Sequence, residues 1–103
     1  MTYLYTLVDG RPAPEPSSPA WALWFRDADR GVAETAVGEA RVSTVFLGID
    51  HGLGGPPLLY ETMVFGGPSD GEQQRYGTLE EARAGHEAMV ARVMDAPAGD
   101  PVA

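Results

Sequence analysis

Two β-rich runs separated by a glycine- and proline-filled loop constrain this chain more than any other feature. The first is Arg41-Val-Ser-Thr-Val-Phe-Leu-Gly-Ile49 and the second is Leu58-Leu-Tyr-Glu-Thr-Met-Val-Phe65. β-Branched and aromatic residues dominate both, and glycine or proline clusters bound them, which is the pattern of strands. They are expected to pair antiparallel across Asp50-His-Gly-Leu-Gly-Gly-Pro-Pro57. Apolar groups fall on both sides of the first run, Val42 and Phe46 on one and Val45, Leu47 and Ile49 on the other. Such strands are central in a sheet or half-covered by a second subunit, so a homodimer is one expectation.

The remaining elements are arranged around this ribbon. Thr2 to Val8 alternates Tyr3, Tyr5 and Leu7 on one side and reads as a short strand. Asp9-Gly10 turns the chain. Arg11 to Pro19 then carries prolines at 12, 14, 16 and 19, which predicts an extended, helix-free linker. A proline-rich ligand for an aromatic groove is the alternative for that stretch. Ser17 or Ser18 can cap a helix that begins at Pro19 and runs to about Ala28, with Trp21, Trp24 and Phe25 on one face. These aromatics read as core anchors, or else as a ligand-stacking platform. Gly31 to Val37 reads as a strand, Gly38-Glu39 as a tight turn, and Gln73 to Tyr76 as a short edge strand beyond the Gly66–Gly71 turn. Thr78-Leu-Glu-Glu81 is a capping box and opens a helix to about Met94. Its inward stripe is Leu79, Ala82, His86, Met89, Val90 and Val93. The order β-α-β-β-β-(β)-α predicts an α+β fold, an antiparallel sheet of 4–5 strands with two helices packed on it. One domain is expected over 1–96, with the linker 11–19 inside it and 97–103 as a frayed tail.

Composition removes several chemistries. The 103 residues include no cysteine and no lysine, so disulfides, thiolate nucleophiles, Cys-ligated metals and lysine Schiff bases are all absent. Fifteen acidic residues against seven arginines give a net charge of −8, spread along the chain without a basic patch. Direct nucleic-acid binding depends on phosphate neutralisation and is disfavoured. Binding to an anionic membrane is disfavoured for the same reason. No apolar run is long enough to span a bilayer, and the start MTYLYTLVDG lacks the pattern of an export signal, so the cytoplasm is the expected compartment.

Several phrases occur together: Ala28-Asp-Arg30, Val42-Ser-Thr-Val-Phe-Leu-Gly48 followed by Asp50-His51, and Glu61-Thr-Met-Val-Phe-Gly-Gly67. Arg75-Tyr76 then leads into Glu80-Glu-Ala82 and Gly85-His86. Over residues 21 to 90 the chain resembles a family of short uncharacterised proteins of actinobacterial genomes and of tailed bacteriophages and prophages. The resemblance implies a mobile-element or viral accessory context and carries no activity, cofactor or catalytic residue with it.

Three positions stand out chemically. Glu61 lies mid-strand beside Leu59, Met63 and Phe65 on its own face, where a carboxylate is costly unless it is paired or wet. His86 occupies the centre of the apolar stripe of the last helix. If that helix lies on the odd-numbered face of the second run, Glu61 and His86 meet; otherwise Glu61 bonds an arginine. Asp50-His51, at the mouth of the glycine loop, is the third. Asp50, His51, Glu61 and His86 are the catalytic candidates and together a nitrogen–oxygen set of the kind that ligates metals, although no metal-binding spacing links them. The plainer reading makes Asp50 a turn former and His51 an exposed loop residue. Gly52, Gly54 and Gly55 look superficially like a phosphate cradle, but the loop leads into a strand and has no Gly-Lys-Ser/Thr, so their glycines are expected to serve a wide hairpin. None of the four serines, Ser17, Ser18, Ser43 and Ser69, lies in a Gly-x-Ser-x-Gly elbow.

Two functional readings follow. The first is a non-enzymatic binding or inhibitor protein of phage or prophage type, with no cofactor. It would act on a host protein or sequester a small ligand through a surface near the 50–57 and 66–71 loops, with Asp50, His51, Gly52, Gly54, Gly55 and Asp70 as binding candidates. The second is a small hydrolase, with or without a metal, built on Asp50, His51, Glu61 and His86. Convergence of those four side chains in one cleft distinguishes the two.

Overall fold

The computed structural model describes residues 3–52 and 54–95. The tail expected at 97–103 and Thr2 of the first strand lie outside them. Eight elements follow in order: β1 (Tyr5–Val8), β2 (Arg11–Pro14), α1 (Ser18–Asp27), β3 (Gly31–Val37), β4 (Ala40–Phe46), β5 (Tyr60–Phe65), β6 (Gln73–Tyr76) and α2 (Leu79–Asp95). β3 to β6 form a four-stranded antiparallel meander in sequence order, and β1 and β2 form a separate hairpin. The fold is α+β, as the order of elements predicts.

One prediction is corrected in the proline-rich stretch, which is not all linker. Arg11–Pro14 is a strand, paired with β1 through Val8↔Arg11, Leu7↔Pro12, Thr6↔Ala13 and Tyr5↔Pro14. Asp9 and Gly10 both take positive φ, 53° and 78°, as the two-residue turn of a tight hairpin requires. Antiparallel pairs alternate between hydrogen-bonded and non-bonded positions. Counting from the turn, Pro12 and Pro14 fall on the non-bonded ones, where the missing N–H takes nothing from the ladder. The amide of Glu15 resumes the ladder by donating to the Leu4 carbonyl at 2.8 Å.

Helix placement corrects a second expectation. Only α2 packs on the four-stranded sheet, touching all its strands, whereas α1 lies against β1 and the end of β4. Ser17 caps α1, its Oγ accepting from the Ala20 amide at 3.2 Å, and Pro19 occupies the first turn. Trp21 fastens the helix, its indole N–H donating to the carbonyls of Tyr5 and Gly48, each at 3.0 Å. Trp21 also stacks on Phe25, and both rings lie over Gly48, where an added Cβ would come within 3.2 Å of Phe25. Trp24 meets Phe46 edge-on. The aromatics of α1 are thus anchors on a neighbouring surface, and none of them is fully buried.

α2 begins at the predicted capping box. Thr78 Oγ1 accepts from the Glu81 amide at 3.1 Å, and Glu81 Oε1 accepts from the amides of Thr78 and Gly77. Ala82, His86, Met89 and Val93 are buried against the even-numbered side chains of β4 and β5. The apolar core falls into two clusters. One is Ala40, Val42, Val64, Met89 and Val93, and the other is Phe46, Leu59, Tyr60 and Ala82. Thr44, Thr62 and His86 occupy the level between them, all buried.

Candidate functional site

The buried middle layer is a continuous polar network. His86 Nδ1 lies 2.7 Å from Thr44 Oγ1, and His86 Nε2 lies 2.9 Å from Thr35 Oγ1. Thr44 Oγ1 is also 2.5 Å from Thr62 Oγ1. The strand registers explain the convergence, since Thr44 pairs with Thr62 directly and Thr35 sits on β3 opposite Val42. A hydroxyl has one proton to donate, so Thr44 can donate to His86 or to Thr62 but not to both. The series Thr62–Thr44–His86–Thr35 therefore runs in one direction or the other, with the imidazole tautomer set by the choice. A hydroxyl at hydrogen-bond distance from an imidazole is the raw material of nucleophilic catalysis. Here Thr44 and Thr62 have no exposed surface and His86 is 3 % exposed, so no substrate reaches the pair. The layer joins α2 to three strands of the sheet.

Glu61 is not part of it. It lies on the opposite, odd-numbered face of the sheet, where its Oε2 accepts from Arg75 Nε at 3.0 Å, across the Glu61↔Arg75 register pair. The expected meeting of Glu61 with His86 is therefore overturned, and the arginine partnership replaces it. The even-numbered face turns inward because Tyr60 and Val64 join Val42 and Phe46 in the core, and Thr44 and Thr62 between them serve the histidine.

The loop candidates are braces. Asp50 Oδ1 accepts from the amides of Gly52 at 2.7 Å and Leu58 at 3.0 Å, closing the β4–β5 loop on itself. The His51 amide donates to the Leu58 carbonyl, and its side chain is exposed. Gly52 is confined by the Pro56 carbonyl, which a Cβ would approach to 2.7 Å, while Gly54 and Gly55 face solvent. Asp70 Oδ1 accepts from the Gly66 amide at 2.6 Å and organises the β5–β6 turn in the same manner. These two loops leave opposite ends of β5, roughly 20 Å apart for six residues at about 3.3 Å each, so they do not form one surface.

The four catalytic candidates therefore divide into a sealed imidazole, an ion-paired acid on the other face, a loop-bracing carboxylate and a free-standing exposed histidine. Among the described residues no group of three or more histidine or acidic side chains converges as a metal would require. None of their helices is long and apolar enough to cross a membrane. The residues that sequence reasoning passed over are Thr35, Thr44 and Thr62. The signal for them was the pair of threonines at matching positions in the two β runs, opposite a helix whose stripe contains one histidine.

Comparison with known proteins adds no family: no family model matches the chain, and no curated protein or solved structure is significantly similar to it.

Proposed function

We propose that this chain is a non-enzymatic binding protein that presents the β4–β5 loop to a partner. The observation that carries the reading is the bracing of that loop. Asp50 and the His51 amide fasten its base to Leu58, and the exposed His51 and Gly54 to Pro57 are held out beyond it. Recognition residues concentrate on loops held by rigid strands, where little ordering entropy remains to be lost on contact. The dispersal of Asp50, Glu61 and His86 supports binding over hydrolysis. The resemblance over residues 21 to 90 supports an accessory role in a phage or prophage, with a protein of an actinobacterial host as the partner.

The test is affinity capture from an actinobacterial extract with the intact chain and with a His51→Ala/Pro57→Ala chain of unchanged melting temperature. The intact chain is expected to recover a protein that the variant loses. Identical recovery by both, or turnover of a panel of ester and phosphoester substrates that His51→Ala abolishes, overturns the reading.

A further inference from the structure

α2 covers one face of the four-stranded sheet, and neither helix packs on the other. That second face carries Val45 and Met63, both half-buried, and Phe65, which is 41 % exposed. Two ion pairs interleave with them, Glu34 of β3 with Arg41 of β4 at 3.3 Å and Glu61 of β5 with Arg75 of β6 at 3.0 Å, and Ser43 lies opposite Met63. Arg41 also lies over the Phe65 ring, 4.6 Å from its centre. Half-exposed apolar side chains set among paired charges of both signs offer an association surface.

We infer that a second copy of this chain occupies this face, making a two-fold dimer of stacked sheets. Charge decides the occupant. The chain carries −8, yet this face balances two acids against two arginines, so the whole excess of negative charge lies elsewhere. Two copies can meet here without like-charge repulsion, whereas a basic partner would be drawn to the acidic remainder. Both signs on one patch also make it self-complementary, which an isologous interface needs because each residue meets the same surface on its mate. Sheets stack about 10 Å apart with strands some 30° from parallel. Four strands about 4.8 Å apart and six residues long give a footprint of roughly 20 by 20 Å. That is small against the ~800 Å² per partner of a standard interface. The dimer is therefore reversible, with a dissociation constant of about a micromolar or weaker. The loop surface proposed above for a partner stays open in it, so the two readings stand or fall separately.

Sedimentation velocity and small-angle scattering of the full chain over a dilution series test the inference. Twice the 10.9 kDa chain mass is expected at high concentration, falling to the monomer on dilution. Met63→Glu and, as a milder change, Phe65→Ser should each weaken association at least tenfold, whereas Met94→Ser on the outer side of α2 leaves it unchanged. A monomer at all concentrations, or a dimer indifferent to both face variants, overturns the proposal. Indifference would indicate pairing along the β3 edge.

Discussion

Thr44 concentrates more structural consequence than its size suggests. Its hydroxyl serves both Thr62 and His86 at a level where no water reaches it. Thr44→Val keeps the shape but leaves a buried imidazole nitrogen and a buried hydroxyl unpartnered. The expected loss is about 1–3 kcal/mol, read from urea unfolding. Replacing the partners together, Thr44→Val with Thr62→Val and His86→Leu, should recover most of that loss, because the cost lies in orphaned polar groups. A neutral single variant would mean the layer is not continuous. Tyr60 supplies a second prediction. Burial pushes its hydroxyl above the usual 10.0, the Glu80 carboxylate adds to the rise, and Arg83 offsets part of it. The neutral ring is thus favoured in the fold, so its contribution holds below pH 10 and is lost as pH climbs from there through the folded value. Thermal melts between pH 8 and 12 should fall more steeply for the native chain than for Tyr60→Phe.

At the scale of elements, α2 and β6 are held together by a missing side chain. A Cβ on Gly85 would overlap the Tyr76 ring, which packs directly on the helix at that point. Gly85→Ala gains about 1 kcal/mol of helix propensity but forces the ring aside, an overpacking cost of about 1–3 kcal/mol. The net effect should be destabilising in the native chain and stabilising in a Tyr76→Ala background, a reversal that a double-mutant cycle of melting free energies reads directly. Much of the element pattern was legible in advance. β3, β6 and both helix starts follow from local chemistry: a glycine turn, a capping box, a serine before Pro19. What was not legible depends on distant contacts. Which surface α1 docks against is decided by carbonyls at Tyr5 and Gly48, far apart in the chain. Which face of β5 turns inward depends on what it meets: Tyr60 and Val64 join Val42 and Phe46 from β4 with Thr62 reaching Thr44 between them, while Met63 and Phe65 stay outside the core. The β2 strand was hidden for a third reason, since prolines argue against pairing unless their register relative to the Asp9-Gly10 turn is counted.

The whole molecule is drawn out, 53 × 28 × 20 Å with a radius of gyration of 15.5 Å against about 13 Å for an average domain of this length. The hairpin and α1 extend one end beyond the sheet, held by Trp21 and by the Leu4↔Ile49 bridge. An extended shape exposes strand borders, and exposed borders invite further chains to add on. The placement of Pro12 and Pro14 bears on that hazard. In β2 the positions not bonded to β1 are those whose amides would point away from the hairpin, and both are imino acids with no hydrogen to offer. An incoming strand would find carbonyls there and nothing to accept from. Pro12→Ala/Pro14→Ala should leave the melting temperature within a few degrees while raising light scattering on prolonged incubation at high concentration; equal scattering from both chains would reject the idea. The prolines of β2 thus withhold donors from an incoming strand while its inner side stays zipped to β1.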